Sequence, residues 1–228
     1  MQLHVLNEEN IFPDIEQAID DPDGLLAMGG DLSPSRLINA YRHGIFPWFS
    51  DDQPILWWSP QTRAILKPEA IHISHSMKKW LKKTTYQTTV NHDFSSVIHY
   101  CAHRPNEGTW ITAGMQQAYI NLHRLGVAHS IEIWDENALI GGLYGVCIGQ
   151  IFCGESMFHC ATNASKLAFI RLAEHFGKNG GQWIDAQMPT AHLTSMGVTP
   201  CSRQHFRSLI EQHRDHPLNK ECWIPQTL

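Results

Sequence analysis

Apolar and polar positions follow two different periods along the chain. In residues 74–83, a turn of 100° per residue puts Met77, Trp80 and Leu81 on one arc of a helix. Lys78, Lys79, Lys82 and Lys83 fall on the opposite arc. A helix is also predicted over 35–43, entered through Asp31-Leu32-Ser33-Pro34 and ended at Gly44. Another spans 110–125 and closes at Gly126. The period then changes. Residues 130–134, 138–148 and 150–158 read as three strands, separated by Asp135-Glu136-Asn137 and Gly149, and make a meander. Leu167, Ile170, Leu172 and Phe176 restore helical spacing over 163–176. A strand at 182–187 and a helix at 202–212 complete the pattern, with a short strand at 55–58 stopped by Pro60.

This order predicts an α+β protein in two parts. Residues 1–62, rich in Pro, Gly and Trp, form a small N-terminal α/β domain, and residues 63–228 a larger mixed-sheet domain. Meander, helix, strand, helix is the order of the acyltransferase-like (GNAT-like) fold, an analogy that by itself assigns no chemistry. Enzymes of that fold that use coenzyme A cradle its pyrophosphate in a glycine-rich loop at the start of the central helix. Here that place reads His159-Cys160-Ala161-Thr162-Asn163-Ala164-Ser165-Lys166, without a glycine, which argues against coenzyme A.

Composition narrows the reading further. At 228 residues with 43% hydrophobic and 17% charged positions, the chain can bury a core without staples. Net charge is −5, so a nucleic-acid partner would need a local basic patch, and the four lysines supply one. No basic-then-apolar leader opens the sequence, and no apolar run reaches the ~18 residues of a membrane span. With six scattered cysteines, the expectation is a cytoplasmic protein with reduced thiols. The fifteen histidines include no His-x-x-x-His with a helical Glu, and no Cys-x-x-Cys pair exists, so no metal is expected.

Two short texts carry candidate chemistry. Phe152-Cys153-Gly154-Glu155-Ser156-Met157-Phe158 sets one carboxylate in an apolar strand. Strict alternation puts Phe152 and Gly154 on one face and Cys153, Glu155 and Met157 on the other. Glu155 is then either solvated on an edge strand or placed to meet a cationic ligand. In Ile184-Asp185-Ala186-Gln187, alternation projects Asp185 and Gln187 from one face, suited either to orienting a hydrogen-bonded substrate or to capping nearby backbone. Trp48 and Trp110 are candidate stacking surfaces for bases, or ordinary core.

Several longer texts together resemble the leucyl/phenylalanyl-tRNA–protein transferases. They are residues 24–34 (Gly-Leu-Leu-Ala-Met-Gly-Gly-Asp-Leu-Ser-Pro), 41–49 (Tyr-Arg-His-Gly-Ile-Phe-Pro-Trp-Phe), 54–60, and Glu107-Gly108-Thr109-Trp110-Ile111-Thr112. The Glu155 and Asp185 texts belong to the same set, and the resemblance runs from about residue 22 to 200. It implies transfer of Leu or Phe, and less well Met, from aminoacyl-tRNA to the α-amine of a protein beginning with Arg or Lys. That addition would mark the protein for degradation by the bacterial N-degron pathway. The resemblance carries catalytic roles onto Asp185, Gln187 and Glu155, and an aminoacyl pocket onto Leu143, Phe152, Met157, Phe169, Leu172, Phe176 and Ile184. Contacts to the terminal adenosine fall on Tyr41, Trp48 and Trp110, with Lys78, Lys79, Lys82 and Lys83 gripping the tRNA phosphates.

The expected mechanism has Gln187 accepting a hydrogen bond from the attacking amine, Asp185 fixing or polarising Gln187, and Glu155 holding the cationic acceptor. No cofactor is implied, and a monomer is expected. Two other classes remain open at this level. One is a different acyltransferase, using coenzyme A or building peptidoglycan bridges; the other is a non-catalytic RNA- or peptide-binding module.

Overall fold

The computed structural model describes residues 3–103 and 109–228; Glu107 and Gly108 of the fourth text lie outside the described residues. A four-stranded sheet comes first. Its strands are β1 (His4–Leu6), β2 (Leu25–Gly29), β3 (Phe46–Pro47) and β4 (Leu56–Trp58), in the order β1-β2-β4-β3. The predicted first helix is α1 (Pro34–Arg42). Pro34 occupies its first turn, where no N–H is needed, and Gly44 turns the chain away at φ +77°.

The second sheet has eight strands. The chain supplies β5 (Thr62–Leu66), α2 (His75–Leu81), β6 (Gln87–Val90), α3 (Phe94–Ala102) and α4 (Ala113–Arg124). The predicted meander follows as β7 (Ala128–Asp135), β8 (Ala138–Ile148) and β9 (Ile151–His159). After it come α5 (Ala164–Lys178), β10 (Trp183–Gln187), α6 (Ala191–Thr194), β11 (Thr199–Ser202), α7 (Arg203–His213) and β12 (Gln226–Thr227). The strand order is β11-β5-β10-β9-β8-β7-β6-β12. Only the β9–β10 pair is parallel; the other neighbours in this sheet are antiparallel.

Two of the unpredicted elements show why patterning missed them. β6 reads Gln-Thr-Thr-Val, too polar for a buried strand, yet Thr88 and Thr89 are buried. Thr89 Oγ1 donates to the buried carboxylate of Glu132 on β7 at 2.6 Å, so the polar strand covers a polar core position. β11 is a short edge strand containing Pro200, and its hydrophobic signal is correspondingly weak.

The large sheet separates two apolar clusters. On one face lie α3, α4, α7 and the N-terminal elements, with Tyr41, Phe94, Tyr119 and Phe206 among their contacts. On the other lies α5, buried on nearly all sides, with Met77 of α2 and the end of the chain at Cys222. The site opens between β9 and β10.

Candidate active site

The parallel pairing of β9 with β10 runs Trp183–Ile151, Ile184–Phe152 and Asp185–Cys153. Beyond that rung both strands lose register with their outer neighbours. On β9, Tyr144 faces Ser156 and Gly145 faces Gly154, which leaves Glu155 as the extra residue. On β10, Asp185 faces Ile65 and Gln187 faces Ala64, which leaves Ala186 over and holds Gln187 at φ +61°. Two adjacent bulges re-aim both chains. A cavity of about 330 Å³ opens where they diverge.

The bulges overturn two expectations built on strict alternation. Met157 does not share a face with Cys153: it lines the cavity with Phe152, while Cys153 packs in the opposite cluster. Asp185 and Gln187 do not project as a matched pair. Asp185 borders the cavity from behind, 0% exposed, and its Oδ1 accepts the backbone N–H of Gln187 at 2.9 Å. It thereby fixes the bulge, not the side-chain amide of Gln187.

Asp185 is neutralised from within. The Nε and Nη2 of Arg63 donate to its two oxygens at 2.9 and 2.7 Å, and Nη1 donates to the Gly44 carbonyl at 3.0 Å. The guanidinium lies between the rings of Phe46 and Phe206, 4.8 and 4.5 Å from their centroids. Burial penalises the Arg63 cation, but the Asp185 carboxylate more than restores it, so its pKa lies above the usual value.

Glu155 has different surroundings. β9 sits between β8 and β10, so the solvated edge-strand alternative is excluded. Its Oε2 accepts from the Tyr119 hydroxyl at 2.7 Å, and its Oε1 accepts from Nε2 of Gln187 at 2.7 Å. Tyr119 in turn shares a 2.5 Å hydrogen bond with Tyr41. Burial pushes the carboxyl up to about 7, against the opposing pull of the Tyr119 hydrogen bond. Near neutral pH this group is divided between two protonation states. With Nε2 engaged, the amide oxygen of Gln187 is the acceptor left for another donor.

Leu143, Phe152, Met157, Phe169, Leu172 and Ile184 line the cavity together with Trp110. Phe176 does not; it stands behind the floor, its ring centroid 6.1 Å from that of Phe152. A smaller cavity of about 160 Å³ adjoins the first, sharing Trp110, Glu155, Ala186, Thr190 and Leu193 and adding Trp48 and Gln187. Trp48 is 41% exposed, its ring edge-on to Trp58 at 5.5 Å. Tyr41 is a correction: it is buried with its hydroxyl against Tyr119, so its ring offers no stacking surface.

Lys78 and Lys79 lie on α2, and Lys82 and Lys83 in the turn that ends it; all four are exposed while Met77 is buried. A groove of about 440 Å³ between residues 10–15, α1 and α7 shares no lining residue with either cavity. Arg63 and Tyr119 are site residues that the sequence reading did not single out. The signal for Arg63 was available, since a charge within the apolar strand Thr62–Leu66 needs a partner as much as Glu155 does. Thr190, His192 and Leu193, which border the main cavity, carried no comparable signal.

Comparison with known proteins gives a consistent picture. Residues 30–61 match the family model described as leucyl/phenylalanyl-tRNA protein transferase N-terminal domain, and residues 65–211 match that of leucyl/phenylalanyl-tRNA protein transferase. A leucyl/phenylalanyl-tRNA–protein transferase of Psychromonas ingrahamii is 57% identical over 220 residues, covering 96% of this chain and 92% of that relative. One from Pectobacterium carotovorum is 51% identical over 229 residues, covering 100% and 98%. Among solved structures, L-PGS from Bacillus licheniformis superposes with a TM-score of 0.42 at 12% identity, covering 86% of this chain and 63% of that one.

Proposed function

The chain belongs to the leucyl/phenylalanyl-tRNA–protein transferase family and is an aminoacyltransferase; we propose that it moves Leu or Phe, and less well Met, from aminoacyl-tRNA to the α-amine of proteins beginning with Arg or Lys. In this reading the addition marks the acceptor for N-degron degradation, and the enzyme works as a cytoplasmic monomer without cofactor. The observation that carries it is the shared wall of the two cavities. The larger is apolar and sized for a Leu or Phe side chain, and it ends at Glu155, which the smaller cavity reaches beside Gln187 and Trp48.

The donor ester is already activated, so the residues need to position and deprotonate an amine. An α-ammonium ionises near 7.7–8.0, and freeing it at neutral pH costs about 1 kcal/mol. Alignment contributes up to roughly 7–11 kcal/mol, so orientation dominates. In this mechanism the free amine donates to Oε1 of Gln187, while the ionised Glu155 stabilises the positive charge that the nitrogen gains as it attacks the ester carbonyl. As the amide bond forms, the ester C–O bond breaks, and the amine proton passes through Glu155, water or the neighbouring ribose hydroxyl to the departing ribose oxygen of the tRNA. Trp48 and Trp110 flank the terminal adenosine, and the exposed lysines at 78, 79, 82 and 83 hold phosphates in a salt-sensitive way.

We also read the chain as two domains divided near residue 62, the second acyltransferase-like. The four-stranded sheet draws on residues 4–58 and the eight-stranded one begins at 62. The parallel β9–β10 pair, which separates at its bulges, supports that reading. No helix among the described residues is long and apolar enough to cross a membrane.

A transfer assay tests the reading. Leu-tRNA and Phe-tRNA are offered with a reporter peptide beginning with Arg, Lys or acetylated Arg. Transfer to the free Arg and Lys peptides alone is expected. Binding of tRNA without transfer would favour the non-catalytic module instead.

A further inference from the structure

The wall behind the larger cavity is built by the end of the chain. Phe152 forms the floor and is fully buried. On one side its ring is fixed by Gly145 of β8: a Cβ there would stand 2.6 Å from Phe152 Cε1 and 2.3 Å from the Cys153 carbonyl oxygen. On the other side stands Trp223, with its ring centroid 5.6 Å from that of Phe152 and 6.0 Å from that of Phe176. Phe176 cannot move away freely, because a Cβ on Gly181 would sit 2.3–2.5 Å from its ring atoms. With Gly145 on one side and the pinned Phe176 beside it, Phe152 backs onto Trp223.

Trp223 is itself held in place. His129 of β7 stacks on its other face at 4.2 Å, the planes 3° apart. Asn91 Nδ2 donates to the Trp223 carbonyl at 2.7 Å, and the Cys222 carbonyl lies 2.6 Å from Nε2 of His175. The Asn219 N–H donates to the Asn179 carbonyl, and β12 then pairs with β6, with Leu228 N–H donating to Thr88. A ten-residue strap, Asn219 to Leu228, is thus tied at both ends and in the middle, with one large ring facing the pocket floor.

We propose that Trp223 is a specificity-determining positioning residue: through Phe152 it sets the depth of the aminoacyl cavity and hence the balance between the two donors. The inference rests on the reading of that cavity as the aminoacyl site. Interiors are close-packed, so loss of volume behind Phe152 is felt at the floor. A deeper cavity accommodates Phe better and packs Leu less well.

The test compares kcat/KM for Phe-tRNA and for Leu-tRNA in the wild-type protein, Trp223→Leu and Trp223→Phe. One methylene in an apolar pocket discriminates by about 10–200-fold, so an increase of about tenfold in the Phe/Leu ratio is expected for Trp223→Leu, and a smaller one for Trp223→Phe. Val97→Ala, buried in the other cluster, is the control for general destabilisation and should leave the ratio unchanged. If Trp223→Leu does not fold, Trp223→Phe reads the same ratio. An unmoved ratio in a folded Trp223 variant that still transfers overturns the proposal, as does an equal shift in Val97→Ala. Failure of the wild-type protein to transfer from either donor would instead defeat the reading of the cavity.

Discussion

Two carboxylates stand one strand apart in this protein and live under opposite rules. Asp185 is sealed, bidentate with Arg63, and its remaining hydrogen bond goes to backbone. Glu155 borders both cavities, and its oxygens are held by the neutral donors Tyr119 and Gln187. A buried charge with a full partner is a structural element whose proton affinity is of little use. A partly buried carboxylate with neutral partners has its pKa carried toward neutrality, where it is useful in proton transfer. In the proposed mechanism, accordingly, Asp185 shapes the bulge and Glu155 meets the substrate.

The largest expected effect comes from breaking the sealed pair. Asp185→Ala leaves the Arg63 cation buried without its partner and should destabilise the fold by about 3–5 kcal/mol, measured by urea unfolding. A near-normal unfolding midpoint would show that the pair is not structural and would erase the contrast with Glu155.

Next comes Glu155→Gln, which sharpens the contrast through pH. The folded-state pKa of Glu155 is raised from 4.5 to about 7, so folding favours its protonated form. Its favourable contribution is present below pH 4.5 and disappears as pH rises through 7. Glu155→Gln lacks that loss, so its stability relative to wild type should improve between pH 5 and pH 8, by up to about 3 kcal/mol, while transfer at low acceptor concentration falls. Parallel stability–pH curves for the two proteins would mean that Glu155 is not perturbed as described.

The smallest effect is a shift of profile. Tyr119→Phe removes a hydrogen bond that lowers the Glu155 pKa, so the acidic limb of the transfer rate should move to higher pH with the fold intact. An unchanged limb would remove Tyr119 from the control of Glu155.

Much of the site was legible in the chain because its residue types are unusual where they stand. A carboxylate in Phe-Cys-Gly-Glu-Ser-Met-Phe and an Asp-Ala-Gln strand end draw notice without a structure. The helices α1, α4, α5 and α7 and the strands of the meander follow from periodicity and turn residues to within a few positions. The partners were harder to see: Arg63, Tyr119 and Trp223 lie 122, 36 and 71 residues from Asp185, Glu155 and Phe152 respectively. No local pattern joins positions so far apart.

The sequence alone determined the strongly periodic helices and the strands of the meander, which side chains can carry charge in an apolar setting, and which family the chain resembles. Those properties depend on neighbours within a few residues. Only the tertiary structure decided the phase of the site. A bulge on each of two adjacent strands turns Met157 into the cavity and re-aims Gln187 relative to Asp185, against the alternation that each strand predicts. A bulge arises from a mismatch between two strands, so neither strand's sequence contains it. The same holds for Phe176, placed behind the floor, and for Tyr41, withdrawn into the core. Burial depends on what the rest of the chain brings against a residue.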